Sequence, residues 1–430
     1  MTNHRVLGDL EARGLVQDAT DRDGLRDHLA EAPVTLYYGC DPTAESLHVG
    51  NLIGLLVLRR FQDAGHRPIA LVGGATGMVG DPSGRSEERN LLDEATLAAN
   101  VAAITAQISR IVDLSGGPGG GLLVDNRDWT AEVRLLDFLR EIAKYVTVNT
   151  MLARESVKNR LASEHGISFT EFSYMLLQAN DFLHLHDTYD CRLQIGGSDQ
   201  WGNMVGGVDL IRRARRRKAW ALGWPLLTAP DGTKVGKTTG ARIWLDPART
   251  SPYAFFQHWM QTDDRQVSQF LAQFTLLPLA EVEAVVADHH AAPERRGAQL
   301  VLAREATGLV HGHDQASAAE AASAILFGAS LADATPEALA SVSAEVPVAR
   351  WGWSRLREGV DILDALTDGH LGLAASKGEA RRAVTQGGAY VNGERADLDT
   401  RITDDDLLHG RYVLLRKGKR SYALVEVDPA

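Results

Sequence analysis

His48 and Asn51 lie three residues apart in the run Tyr37-Tyr-Gly-Cys-Asp41-Pro-Thr43-Ala-Glu-Ser46-Leu-His48-Val-Gly50-Asn51. On a helix they share one face of a single turn. A helix start offers unpaired backbone N–H groups and the positive end of the helix dipole, which suits a polyphosphate. Ser46 is the expected N-cap, and Gly50 would let a ligand come close. The same residues would equally serve an ordinary capped helix with a surface histidine. A second run, Gly73-Gly-Ala-Thr-Gly-Met-Val-Gly-Asp81-Pro-Ser-Gly-Arg85, follows an apolar stretch. A glycine-rich turn after a strand is a general nucleotide-binding arrangement, although this spacing is not the dinucleotide fingerprint. Asp81 has the charge to meet an ammonium. Arg85 and Arg89 follow on a polar stretch that reads either as an anion-binding loop or as a solvated one.

Three more runs carry chemistry. In Ser168-Phe-Thr-Glu171-Phe-Ser-Tyr174-Met-Leu-Leu-Gln178-Ala-Asn-Asp181 the Ser/Glu spacing is that of a capping box. At about 100° per residue, Tyr174, Gln178 and Asp181 form one polar stripe among apolar neighbours. Such a stripe either lines a wet pocket or belongs to a satisfied core network. Gln194-Ile-Gly-Gly-Ser-Asp199-Gln200-Trp-Gly-Asn203 reads as a strand end opening onto a site, and a basic cluster follows, Arg212, Arg213, Arg215, Arg216, Arg217 and Lys218. That cluster would grip RNA phosphates or form a solvated face. In Asp231-Gly-Thr-Lys234-Val-Gly-Lys237-Thr238 an Asp-Gly turn precedes two lysines three apart. Lysine serves well as a point charge for phosphate.

Other signals are weaker. His184/His186 and His311/His313 are His-x-His pairs without further Cys or His to complete a tetrahedral site, so no metal site is expected. Cys40 and Cys191 are too few for a disulfide framework and read as packing residues. Gly116–Gly121 reads as a surface insertion, because no Lys-Ser/Thr follows it.

The elements that position these residues read as strands and helices in alternation. Val34–Tyr38 and Ile69–Val72 are short β-forming runs, and Asn51–His66 has helical spacing. That order implies an α/β fold with a parallel, Rossmann-like sheet and helical crossovers. From Ser251 to Gly328 the pattern is helical and rich in alanine. Residues 329–350 read as a linker around a short helix, and 351–430 as a small α+β unit ending in β-type runs. The expected divisions are therefore 1–250, 251–328, 329–350 and 351–430.

The chain has 430 residues and a formal net charge of −11, which excludes a protein that coats nucleic acid over its whole surface. Residues 371–430 hold 10 Lys+Arg against 9 Asp+Glu, so the acidity lies outside the tail. No apolar run reaches the length that spans a bilayer, and the first residues are too charged for a secretory signal. A soluble, cytoplasmic protein without membrane association is the expectation.

Taken in order, the five runs resemble a bacterial-type tyrosyl-tRNA synthetase of class I, over almost the whole chain. The resemblance implies that Tyr37 and Asp181 hydrogen-bond the phenolic hydroxyl of L-tyrosine. It gives Asp81, Tyr174 and Gln178 to the α-ammonium and Gln200 to the carboxylate side. Asp41, Thr43, Gly50 and Asp199 would lie along ATP. His48 and Asn51 would contact its phosphates, while Lys234, Lys237, Thr238, Arg85 and Arg89 would close on the leaving pyrophosphate. Magnesium would accompany ATP, with no tightly bound cofactor. The helical segment would be of the anticodon-binding type. The tail resembles a small RNA-binding fold shared with a ribosomal protein, in which Arg381, Arg382, Arg416, Lys417 and Lys419 would meet tRNA(Tyr), together with Arg212 and Arg213. A homodimer is implied. Three features depart from the pattern: Asn51 stands where histidine is commoner, Lys-Val-Gly-Lys-Thr replaces the general Lys-Met-Ser-Lys-Ser, and Tyr38 beside Tyr37 is bulky for a site edge and reads as facing either the ribose or the core. The competing readings are a non-catalytic RNA-binding paralogue and, from the glycine run alone, a nicotinamide oxidoreductase.

Overall fold

A computed structural model describes residues 5–83, 92–117, 119–162, 166–227, 242–328, 331, 334–418 and 421–428. The chain divides into two compact units, Met1–Arg249 with Thr262–Leu302, and Thr250–Gln261 with Ala303–Ala430. The helical segment 251–328 is thus shared between them.

The first unit is built on a six-stranded sheet. Its strands are β1 Asp18–Ala19, β2 Thr35–Cys40, β3 Arg67–Val72, β4 Leu122–Asp125, β5 Cys191–Gly197 and β6 Trp220–Trp224, in the order β1-β6-β5-β2-β3-β4. β2 pairs in parallel with β3 and β5, β3 with β4, and β5 with β6, while the short edge strand β1 is antiparallel. The strands are almost continuously apolar, as burial on both faces requires. Strand order runs outward in one direction from β2 to β4 and in the other from β5 to β6. The crevice at the carboxyl ends of β2 and β5 is therefore the switch point at which such sheets bind ligands.

The helix Val49–Asp63 returns the chain from β2 to β3 and is buried on nearly all sides. It carries a buried arginine on its inner turn. Arg60 donates to the carbonyls of Ala272, Gln273 and Thr275, at 3.2, 3.3 and 2.5 Å. Arg13 adds bonds to the carbonyls of Ala272 and Leu277 and pairs with Asp9. The carbonyls involved lie in the last turn of the helix Asp264–Phe274 and just beyond it, so the two guanidinium groups satisfy orphan acceptors there. Burial lowers the Arg60 pKa to about 9.

The helix Phe169–Tyr189 packs beside the helix Trp201–Arg215. Ser168 caps the first of these, accepting from the Glu171 N–H at 3.2 Å, as the spacing predicts. The Glu171 carboxylate pairs instead with buried Arg160 at 2.7 Å. Close approach of the two helices depends on Gly207. A Cβ there would lie 2.9 Å from the Phe182 ring, and Phe182 is fully buried with no room to yield.

In the second unit β7 Val348–Arg350, β8 Val360–Asp361, β9 Ala389–Val391, β10 Glu394–Arg395, β11 Arg401–Ile402, β12 Tyr412–Lys417 and β13 Ser421–Glu426 form a five-stranded sheet, β10-β9-β12-β13-β7, and a β8/β11 pair. One sheet face buries Val413, Leu415, Ala423 and Val425 against Leu356, Leu366 and Ala380. The other buries Tyr412, Leu414, Tyr422 and Leu424 against Ala322, Ile325, Leu339 and Val342. Within the stretch expected as a linker, the helix Pro336–Ser343 supplies part of that second face, and β7 pairs in parallel with β13. Few large apolar residues were needed there, because alanines and short aliphatics fit against a sheet. The Asn392-Gly393 turn joins β9 to β10, with φ of 47° and 87°, the geometry such hairpins favour.

Gly207→Ala should destabilise the first unit by about 1–3 kcal/mol, the usual cost of overpacking a filled core. Denaturant unfolding followed by circular dichroism checks this, and a variant as stable as its parent would contradict the close contact with Phe182.

Candidate active site

The site is assembled at the carboxyl ends of β2, β3, β4 and β5, all within the first unit. β2 carries Tyr37 and delivers Asp41 just beyond its end. β3 runs into Gly73 and Gly74, and β4 into Asp125 and Asn126. A Cβ on Gly73 would lie 2.1 Å from an Asp41 carboxylate oxygen, and one on Gly74 2.3 Å from that of Asp125. The double glycine thus makes room for two carboxylates, one of which accepts from the Gly74 N–H at 3.0 Å.

Asp181, on the helix Phe169–Tyr189, is 2% exposed and holds the centre of a hydrogen-bond network. Asn126 Nδ2 donates to one carboxylate oxygen and Trp129 Nε1 to the other, each at 2.9 Å. Burial raises the Asp181 pKa to about 7, against the pull of these two donors; Asp41 and Asp125 push it the same way as burial. Asn126 also donates to Thr76 Oγ1 at 2.9 Å, and Thr76 donates to Asp41 at 2.7 Å. The other Asp41 oxygen accepts from the Tyr174 hydroxyl at 2.8 Å. Burial, with Asp41 and Asp81 nearby, holds the Tyr174 phenol well above its ordinary pKa.

The buried polar atoms without a hydrogen-bond partner among the described residues include three here: the Tyr37 hydroxyl, Gln178 Oε1 and Gln194 Oε1. Gln194 stands opposite Tyr37 in the β2/β5 register, so the two side chains share a sheet face. Gln178 lies one turn before Asp181 on the helix. Tyr37 feels the charge of Asp181, which with burial raises its pKa well above the usual phenol value. Buried polar groups are normally satisfied, and a polar ligand would satisfy these. At the near side Asp81 accepts from the Ser83 N–H at 2.9 Å and from Gln200 Nε2 at 2.6 Å, and Gln200 accepts from Asn203.

The helix start differs from expectation. Its N-cap is His48, not Ser46. His48 Nδ1 accepts from the Gly50 N–H at 3.0 Å, and Asn51 Oδ1 accepts from the His48 N–H at 3.1 Å. The Ser46 hydroxyl is engaged elsewhere, donating to the Leu47 carbonyl and accepting from the Asp246 N–H. Because Nδ1 accepts, the neutral His48 ring carries its proton on Nε2. A Cβ on Gly50 would lie 2.8 Å from the His48 ring, so the space this glycine leaves is taken by the histidine itself. Val49 N and Leu47 O bond to Ile243 O and Leu245 N, which docks residues 243–245 beside the cap. Tyr38 lies under the helix. Its ring fills the space over Gly54 and tilts against Trp224 at 5.5 Å.

Arg85, Arg89, Lys234, Lys237, Thr238 and Lys419 lie outside the described residues. Thr43 and Gly50 are exposed and Asp199 is half-buried at the strand end. Most of the basic cluster is paired with acids: Arg212 and Arg213 with Asp209 one turn before them, Arg215 with Asp187, and Lys218 with Asp21. Arg381 and Arg382 are exposed. The Arg416 guanidinium stacks 3.8 Å over the Tyr390 ring, and Lys417 pairs with Glu379. Sequence reading missed Thr76, Asn126, Trp129 and Gln194. The polar run Asp125-Asn126-Arg127-Asp128-Trp129 at the end of an apolar strand was the available signal for two of them.

Asp181→Asn isolates the cost of the buried charge. A carboxyl whose folded pKa is raised from 3.8 to about 7 stabilises the fold relative to the charged state only at low pH, and that contribution is lost as pH rises through 7. Relative to its parent, the Asn variant should therefore gain stability between pH 4.5 and 8.5, by roughly 3 kcal/mol. Thermal midpoints of both proteins at the two pH values test this. A constant difference would mean that Asp181 titrates normally.

Comparison with known proteins finds likenesses over almost the whole chain. The family described as tRNA synthetases class I (W and Y) matches residues 29–328, and the tyrosine–tRNA ligase SYY-like C-terminal domain matches residues 340–425. A tyrosine–tRNA ligase of Opitutus terrae is 50% identical over 98% of this chain and 99% of its own. One from Bacillus caldotenax is 47% identical over 98% and 99%. Among solved structures, a C-terminally truncated mitochondrial tyrosyl-tRNA synthetase of Aspergillus nidulans superposes with a TM-score of 0.68 at 34% identity, covering 75% of this chain and 94% of that one.

Proposed function

This chain belongs to the class I tyrosine–tRNA ligases, and we propose how its own residues divide the work of that reaction. A tyrosine carboxylate oxygen attacks the α-phosphorus of ATP, the bond to the β-phosphate breaks, and pyrophosphate leaves. The terminal ribose hydroxyl of tRNA then takes the tyrosyl group, and AMP leaves. The carboxylate is already a nucleophile, so the first step needs positioning and charge stabilisation rather than a general base.

Asp181 and Tyr37 would read the phenolic hydroxyl, Asp181 accepting from it and the otherwise unpartnered Tyr37 hydroxyl donating to it. Phenylalanine would leave the Tyr37 hydroxyl unpaired and set an apolar ring edge against the buried Asp181 carboxylate, which is costly. Asp81, Tyr174 and Gln178 would hold the α-ammonium, and Gln200 would lie toward the carboxylate. Gln194 joins this set through its place beside Tyr37. Asp41, Thr43, Gly50 and Asp199 would border ATP. His48 would offer its Nε2–H to a phosphate oxygen. Asn51 fixes the cap through its Oδ1, and its amide N–H groups would turn to phosphate. Lys234, Lys237, Thr238, Arg85 and Arg89 complete the pyrophosphate side in this reading. Among the described residues no cluster of His, Cys, Asp or Glu suits a metal ion. Magnesium enters this reading as a companion of the triphosphate.

We read residues 1–250 as the catalytic part, 251–328 as the anticodon-binding type and 351–430 as a tRNA-binding part joined through 329–350. Arg381, Arg382 and Arg416 are the best-presented tRNA contacts in the tail, with Lys417 and Lys419 beside them in sequence. Arg212 and Arg213 would have to exchange Asp209 for phosphate. No described helix is long and apolar enough to cross a membrane, and the cytoplasm is our assignment. A homodimer accounts for an apolar surface in the first unit. Leu135 and Leu136 are 72% and 70% exposed and Phe169 79%, with Val133, Leu139 and Val148 also exposed. Surfaces of this kind are covered by a partner, and a second copy of this chain is the partner proposed.

The observation that carries the reading is the buried Asp181 carboxylate, held by two donors beside an unpartnered phenol. ATP–pyrophosphate exchange with each of the twenty amino acids tests it. Exchange should require tyrosine, and Asp181→Ala should raise the KM for tyrosine far more than that for ATP. Equal losses for both substrates would move Asp181 out of the phenol site. Leu136→Asp should shift the protein from dimer to monomer in sedimentation velocity; an unchanged dimer would place the interface elsewhere.

A further inference from the structure

We propose that His184 is a positioning residue for amino-acid selection, stacking on Trp129 so that its indole N–H stays aimed at the Asp181 carboxylate. The inference rests on the reading of Asp181 given above.

The His184 and Trp129 rings are nearly parallel, 12° apart, with centroids 4.3 Å from one another. Trp129 sits on a four-residue helix, Arg127–Thr130, none of whose residues is buried. That short element does not by itself immobilise a large ring. The indole is instead gripped at two places. Its edge donates to Asp181 at 2.9 Å, and its face lies on His184. Asp181 and His184 are three residues apart on one helix and so present to the same side. A single rigid helix thus carries both the acceptor and the plate that holds the donor flat. Thr188, one turn further on, lies with its hydroxyl 3.4 Å from His184 Nε2 and orients the ring. The other member of the His-x-His pair does not take part: buried His186 pairs with Asp187.

The consequence concerns the charge at Asp181. Among the described residues, two side chains donate to this carboxylate, Asn126 and Trp129, against the desolvation that drives its pKa upward. If the indole tilts, one oxygen loses its donor, and the group that reads the phenol changes both direction and proton affinity. ATP-side residues are untouched by that tilt, because Asp41 is held through Thr76 and Tyr174. The effect should therefore fall on tyrosine alone.

Steady-state exchange kinetics test this. Aromatic stacking of this kind supports an expected rise of about three- to tenfold in the KM for tyrosine in His184→Ala, with the KM for ATP within about twofold of the parent. The preference for tyrosine over phenylalanine should narrow with it. His184→Phe, which keeps a flat ring, should restore both. His184→Gln, a half-exposed polar replacement that folds readily, should behave as the alanine variant does. Equal shifts for tyrosine and ATP, an unchanged tyrosine KM, or failure of the phenylalanine variant to restore selection would overturn the proposal. Asp181→Ala serves as the control. If it impairs tyrosine use while His184→Ala does not, only the role of His184 falls. If both leave tyrosine use intact, the reading of Asp181 falls first.

Discussion

A carboxylate in a protein interior is unstable unless its surroundings are built for it, and much of the first unit is arranged around one. Asp181 is buried among apolar side chains and keeps two hydrogen bonds, from Asn126 and Trp129. Those donors stand just past β4, so β4 must lie at the correct height beside β3. Asn126 then reaches Thr76, and Thr76 reaches Asp41. The carboxylates at the two ends of this chain of bonds repel one another weakly, and the neutral groups between them share out the donors. Gly73 and Gly74 follow from the same constraint, since a side chain at either would occupy the space of a carboxylate.

The second support is the helix Val49–Asp63. Its first residue is capped by a histidine that folds back over a glycine, and its inner turn is anchored by Arg60. An arginine buried to this extent costs a large desolvation. Three carbonyl oxygens compensate by accepting from it. They come from the chain end of another helix, so the helix that presents His48 is fixed in height as well as direction. Catalysis by positioning requires such rigidity, because sub-ångström displacement of a phosphate donor weakens the transition-state contact.

Much of this was legible in the sequence where the signal was local. The β-forming runs, the parallel sheet, the Ser168 cap and the polar stripe of Tyr174, Gln178 and Asp181 depend on spacings of one to four residues. The helix start was misread because Ser46 is the commoner cap by residue type, and the choice of His48 was decided by Asn51 three residues later and by a segment about 200 residues away. Tyr38 was ambiguous for the same reason: only the contact with Gly54 and Trp224 shows that it faces the helix. Asn126 and Trp129 serve a carboxylate more than 50 residues distant, and no periodicity announces such a pairing. The alanine-rich stretch before β7 lacked large apolar residues, yet short side chains suffice against the flat face of a sheet.

Charge tells a similar story, in which partners matter more than totals. Six basic residues in the seven from Arg212 to Lys218 suggest a strongly positive surface beside a body of net charge −11. Asp209, Asp187 and Asp21 pair with four of them, Arg212 and Arg213 sharing Asp209, and Arg216 and Arg217 are exposed at the end of the helix. Paired arginines still bind phosphate, but only by exchanging one anion for another, so each contact returns less than a free cation would. A mostly acidic protein that presents a few unpaired cations repels polyanions everywhere except at those places. Non-specific binding of RNA grows with the number of phosphates neutralised. Limiting that number keeps binding dependent on shape and on the few contacts that a fitting RNA can make together.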